Sequence, residues 1–308
     1  MTRGRIFALV GGGVVVAGIA AALIAWWLLS QPPSARDAAA RYLEALAASD
    51  VTSIERMLPD ELSADERDVL TAAYAGASET IAEPRVEEVG EQRAGRVAVR
   101  ASADLGGERR SFEVPLVRED DGWVLGGEAL AAVTAGTTRG DAVRLGDALV
   151  VAGEPVAVLP ARYPVSPAPA QVLSGGAETV ALPGDESEIT IEPDVTDQAQ
   201  PLAQSGLEDY LEDCAGGAAS VPEGCGIRIP WGAELATADD FAYRIDRMPQ
   251  LELAAEDSSF LATGGDYVVT VTGTDREGAP ASVTYRDDDW TVRGALLFAG
   301  DEMVLQVW

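Results

Sequence analysis

Arg41-Tyr42-Leu43-Glu44-Ala45-Leu46 is followed, 81 residues after its tyrosine, by Trp123, and Tyr210-Leu211-Glu212 stands 80 residues ahead of Trp290. The elements between these anchors also repeat. Ser34-Ala35-Arg36-Asp37 has the form of a capping box, and Ala38, Tyr42, Ala45 and Leu46 fall on one helical face behind it. Ser63-Ala64-Asp65-Glu66 opens a second helix, carrying Val69, Leu70 and Ala73 to about Ala77. After Pro84 the period becomes that of strands, at Val86–Val89, Val97–Val99 and Phe112–Val117. Gly106-Gly107 supplies a turn, and Asp120-Asp121-Gly122 another before Trp123-Val124-Leu125. In the second copy Ser205-Gly206-Leu207-Glu208 caps a helix with Leu207, Leu211 and Cys214 on one face. Strands Tyr267–Thr272 and Ala281–Arg286 flank a turn at Asp275–Gly278, and Asp287-Asp288-Asp289 reads as a turn into Trp290. The spacing predicts two copies of one α+β unit.

Between the copies the pattern is all β. Ala148–Val151, Pro155–Leu159, Val172-Leu173, Thr179–Leu182 and Glu188–Glu192 alternate between glycine and proline turns. Leu159-Pro160-Ala161-Arg162-Tyr163 resembles the LPG-x-Y stretch of small extracytoplasmic β modules, with Ala161 in place of the turn glycine.

The chain opens on Ile6–Leu29, an uncharged apolar run preceded by Arg3 and Arg5 and closed by Trp26 and Trp27. At 1.5 Å per helical residue it reaches about 36 Å, enough to span a hydrocarbon core of roughly 30 Å with some tilt. It is too long for the apolar region of a cleaved leader, and Pro33-Ser34-Ala35 is a poor cleavage site. The reading is an uncleaved signal anchor in the plasma membrane, its N-terminus cytoplasmic and its C-terminal domains extracytoplasmic. Gly13, Ala17, Ala21 and Ala25 recur every four residues, a stripe on which two such helices could pair as a homodimer. The expected organisation is a tail over 1–5, the anchor over 6–29 and a linker over 30–33. An α+β domain over 34–130, a small β module over 131–193 and a second α+β domain over 194–308 follow.

The first domain's helix, its Ala48-Ser49-Asp50 sequel, second helix and closing Asp121-Gly122-Trp123 resemble the nuclear-transport-factor-two-like (cystatin-like) superfamily, well over 34–130 and loosely over 194–308. The resemblance implies a curved antiparallel sheet wrapped around helices as an open cone. The superfamily includes isomerases and dehydratases alongside non-catalytic binding modules. The layout as a whole is similar to envelope proteins of the teicoplanin-resistance-associated kind, without their N-terminal zinc ribbon.

Composition closes most catalytic routes. All 22 basic residues are arginine, and the chain has no lysine or histidine. Schiff-base chemistry, GK[ST] phosphate loops, Ser-His-Asp triads and ordinary zinc-hydrolase sites are therefore excluded. A net charge of −29 repels nucleic acid and favours basic partners. Cys214 and Cys225, the only cysteines, are expected to form a disulfide. No acidic cluster has calcium-loop spacing, and no catalytic, cofactor or metal residue is assigned. Tyr42, Tyr74 and Asp104 are the residue types a cone-fold isomerase would use, but Tyr42 lies on the core face. Trp123 and Trp290 read as core residues. The expected function is a membrane-anchored, non-catalytic binding or scaffold protein of the bacterial envelope, with another envelope protein or a wall polymer as partner. The competing expectation is a small-ligand or isomerase-like pocket inside one cone.

Overall fold

The structure, a computed structural model, describes residues 34–119, 122–216, 220–221, 223–254 and 258–308. Two compact units emerge. The first holds residues up to Ser63 with Thr80–Leu130 and Leu182–Gly184; the second holds Ala64–Glu79, Ala131–Ala181 and Asp185–Trp308. These divisions differ from the linear domain boundaries expected above, because the second helix and the middle segment group with the C-terminal sheet.

In the first unit, helix α1 (Ala35–Ala47) starts at the expected capping box, with Asp37 N–H donating to Ser34 Oγ at 3.2 Å and Ser34 N–H to Asp37 Oδ2 at 3.3 Å. It buries Ala38, Ala39, Tyr42, Leu43 and Leu46. A short helix α2 (Val51–Glu55) follows. Strands β1 (Ala82–Val89), β2 (Arg96–Leu105), β3 (Glu108–Glu119) and β4 (Gly122–Leu125) make an antiparallel sheet in chain order. The β2–β3 turn is Gly106-Gly107, with φ of 67° and 75°. Two successive residues at positive φ are what a two-residue hairpin turn demands, and glycine adopts them without steric cost. The register pairs Val97 with Leu116, Val99 with Val114 and Ala101 with Phe112, so one face is continuously apolar. Tyr42, Leu46, Ile54, Val99, Val114 and Leu116 are all fully buried. Side chains fill this interior.

The second unit begins with helix α3 (Ala64–Ala75). Strands β5 (Ala131–Thr137), β6 (Ala142–Leu145), β7 (Ala148–Val151), β8 (Pro155–Val158), β9 (Ala161–Pro167), β10 (Ala177–Ala181) and β11 (Glu186–Ile191) follow. β9 pairs antiparallel with β6 and β10, while β11 runs parallel to β5. Tyr163 is fully buried and donates its hydroxyl to Leu159 O at 2.7 Å, closing the Leu159–Tyr163 stretch on itself. α3 ends directly on the β6–β7 turn, where Gly146 and Ala73 approach so closely that a Cβ on Gly146 would lie 2.2 Å from Ala73 O.

Helix α4 (Ala199–Cys214) packs on a five-stranded sheet formed by β12 (Leu235–Arg247), β13 (Gln250–Leu253), β14 (Ser259–Asp275), β15 (Pro280–Ala299) and β16 (Glu302–Val307). Ala203, Leu207 and Leu211 meet Phe241, Leu251, Tyr267, Val269 and Trp290 in its core. Cys214 and Cys225 are joined by a disulfide. Behind it, Trp290 Nε1 donates to Cys225 O at 2.9 Å, and Arg228 N–H donates to Tyr267 Oη at 3.2 Å. The segment after the disulfide is thereby pinned to the sheet. The chain-entropy model gives a cross-link over 11 residues of separation a worth of about 3 kcal/mol. Cys214→Ser is therefore expected to lower the melting temperature of the oxidised chain to that of the reduced wild type. Equal melting of wild type with and without reductant would contradict this.

Four expectations are corrected. The fold class is not α+β with a membrane-spanning helix and two cones around a small β module: the described residues are mostly strand, with α1 to α4 as their α-helices. Second, the expected single-pass plasma-membrane localisation is corrected: among the described residues no helix is long and apolar enough to cross a membrane. Ile6–Leu29, with Arg3, Arg5, Trp26, Trp27 and the stripe Gly13, Ala17, Ala21 and Ala25, lies outside the described residues, as do Asp120 and Asp121. Third, Asp287-Asp288-Asp289 is not a turn. It lies inside β15, where the register against β14 shifts between Gly265–Trp290 and Tyr267–Asp287. Ser205, expected to cap a helix, sits in the middle of α4, which starts two residues ahead of Pro201 at Ala199. Proline is tolerated in a first turn because its missing N–H has no intrahelical partner there.

Candidate functional site

Of the isomerase-type candidates, Tyr42 lies fully buried on α1. Asp104 on β2 is held by Arg109 across the hairpin, with Nε to Oδ1 at 2.8 Å and an Nη2 contact to Oδ2 at 3.2 Å. Both of its carboxylate oxygens thus face the Arg109 guanidinium. Tyr74 belongs to α3 in the other unit, and burial raises its hydroxyl pKa far above the usual value. Tyr42 and Asp104 thus stand on separate elements of the first unit, and Tyr74 belongs to the second.

An open groove of about 630 Å³ lies at the rim of the first unit instead. Its walls are Arg41 and Glu44 from α1, Asp50 and Arg56 flanking α2, and Met57, with Trp123 of β4 at one side. Each wall has a local cause. The Met57 carbonyl accepts from Leu125 N–H at 2.8 Å, which fastens the chain after α2 to the last strand. Asp50 caps α2, accepting from Ser53 N–H at 3.2 Å and from Ser53 Oγ at 2.6 Å. Those bonds hold its carboxyl below the usual 3.8, so it stays ionised and spends its oxygens on the cap.

The arginines are differently placed. Arg41 Nε donates to Asp37 O at 3.4 Å and Arg56 Nε to Thr52 O at 3.2 Å, each back to its own helix. Among the described residues neither guanidinium enters an ion pair within 4.0 Å. Both retain free donors in a chain rich in carboxylates. Arg118 lies over the Trp123 ring at 5.4 Å, a cation–π contact that orients the indole. Trp123 is 8% exposed, so most of its ring is core and an edge reaches the groove. What the groove offers is an aromatic edge, a methionine, two donor-rich cations and a carboxylate. That set suits non-covalent recognition of a polar segment.

Trp123 and Trp290 are buried as the sequence indicated. In the sequence Arg41 stands out only as part of the helix motif, and Arg56 and Arg118 carry no signal. They meet Trp123 only through the turn of α2 and the β3–β4 pairing.

No family model matches this chain, and no curated protein does. One solved structure, described as an "Ntf2 like protein involved in plasmid conjugation", is 13% identical, with 87% of this chain and 88% of that chain covered at a TM-score of 0.18. The likeness is loose.

Proposed function

We propose that this chain is a non-catalytic binding or scaffold protein, and that the groove beside Trp123 is one of its contact surfaces for another macromolecule. The observation that carries the reading is a contrast within the first unit. The interior between helices and sheet is filled by Tyr42, Leu46, Val99, Val114 and Leu116, while the open volume lies at the rim among charged side chains. A small-molecule enzyme needs an enclosed cavity with converging polar groups; a macromolecular partner needs an accessible rim. Absence of lysine and histidine from the sequence supports the same reading.

The test is site-specific photo-cross-linking in cells, with a photoreactive residue at Ala48, an exposed position on the groove wall. An adduct to another macromolecule is expected, retained at physiological salt and lost in Arg56→Glu. Arg56 is exposed, so the substitution should leave the melting temperature within a few degrees. An adduct indifferent to Arg56→Glu, or none, would overturn the proposal.

A further inference from the structure

The C-terminal sheet has two edges, and the chain treats them differently. β12 carries Asp239, Asp240, Arg244, Asp246 and Arg247, with three register shifts against β14. In the first unit the edge strand β1 carries Glu83, Pro84, Arg85, Glu87 and Glu88, with two register shifts. Charges, proline and bulges on an edge are the usual means of refusing a further strand. β16 has none of them beyond Glu302: Met303–Trp308 runs Met-Val-Leu-Gln-Val-Trp, and its pairing with β15 is unbroken from Glu302 to Val307.

Its backbone is also presented outward. Trp308 N–H donates to Arg293 O at 3.1 Å, so residues of Trp308's parity bond inward to β15. By alternation, the N–H and C=O groups of Met303, Leu305 and Val307 point away from the sheet. Leu296 N–H donates to Ser258 O, on the opposite side of β15, which fits the same alternation for the Leu296–Leu305 pair. The outer face here is apolar. Leu297 and Val304 pair across strands at 45% and 42% exposure, and Leu261 and Trp308 flank Arg293 at 51% and 56%. Carboxylates stand at both ends of the strand. Asp301, paired with Arg144, precedes it, and exposed Glu302 is its first residue. Beside Trp308 lies an open groove of about 860 Å³ with Glu223, Asp287 and Asp289 against Arg228 and Arg293.

We propose that the free edge of β16 is a docking site for an extended peptide segment of another protein, apolar in its middle and basic at its ends, which adds as a sixth strand. Backbone hydrogen bonds to Met303, Leu305 and Val307 supply affinity, and the carboxylates at either end select lysine or arginine. A second copy of this chain is the poorer occupant, since it brings another net charge of −29 and the same carboxylates to the contact. This surface belongs to the second unit and stands independently of the groove beside Trp123.

The full chain is titrated at physiological salt with fluorescein-labelled peptides KKVTVTVKK, EEVTVTVEE and a KKVTVTVKK whose alternate amides are N-methylated, and sedimented alone. The first peptide is expected to bind at least tenfold more tightly than either of the others, to a chain that sediments as a monomer. Val307→Pro removes an outward N–H while sparing the ladder, and should weaken that binding at least tenfold. Should Val307→Pro fail to fold, Glu302→Arg serves instead, expected to weaken KKVTVTVKK and strengthen EEVTVTVEE. No binding, equal binding of the three peptides, or a dimer dispersed by either variant would overturn the proposal.

Discussion

Trp290→Ala is expected to lower the stability of the chain by about 3–5 kcal/mol, the range for deleting a large aromatic from a packed core. The side chain is 1% exposed. It meets the Tyr267 ring edge-on at 5.4 Å and donates from Nε1 to Cys225 O. Removing it opens a cavity and also frees the segment that the disulfide returns to the sheet. Its neighbour in register is Gly265, where a Cβ would lie 2.9 Å from the Trp290 ring, so the strand opposite is shaped to admit the indole. Trp290→Phe, which keeps most of the apolar contact and loses the hydrogen bond, should cost less. Chemical denaturation measures both, and a Trp290→Ala midpoint equal to wild type would contradict the core assignment.

Gly146→Ala should cost about 2–5 kcal/mol, from left-handed strain of about 1–2 and overpacking of about 1–3. Gly146 has φ of 58°, and a new Cβ would meet Ala73 O at 2.2 Å. Ala73 O is a backbone atom and the position of a Cβ is fixed by its own backbone, so no rotamer change relieves the contact. The substitution probes the placement of α3 on the β6–β7 turn. Gly153 has φ of 81° with nothing within 4 Å of its Cβ position, and Gly153→Ala therefore isolates the strain alone. Equal costs at the two glycines would show that α3 does not seat on that turn.

Local signals were legible where they act over a few residues. The capping box at Ser34, the Gly106-Gly107 turn, the Asp275–Gly278 turn and the alternation on β2 and β3 are all present as read. The error at Asp287–Asp289 is instructive. An acidic triplet is turn-like in composition, but inward-facing residues are odd-numbered at Val283 and Tyr285 and even-numbered at Trp290, Val292 and Leu296. A single parity change inside one strand is the mark of a bulge, which adds one residue and swaps the faces. The parity was visible in the sequence; the Gly264-Gly265 partner that accommodates it was visible only as two glycines. Grouping of α3 with the C-terminal unit had no sequence signal, because helix amphipathicity does not say which sheet receives the apolar face. The groove beside Trp123 was equally hidden. Arg41, Arg56 and Trp123 are far apart in sequence and are joined only by tertiary structure.

The most direct test of a filled interior with recognition at the rim is a crystal of the chain pressurised with xenon. Xenon enters dry apolar cavities and leaves close-packed cores empty. No xenon site is expected among Tyr42, Leu46, Val99, Val114 and Leu116, where the side chains are fully buried against one another. A well-occupied site there would reveal an enclosed apolar pocket, contradict the filled interior and return the small-ligand reading to the first unit.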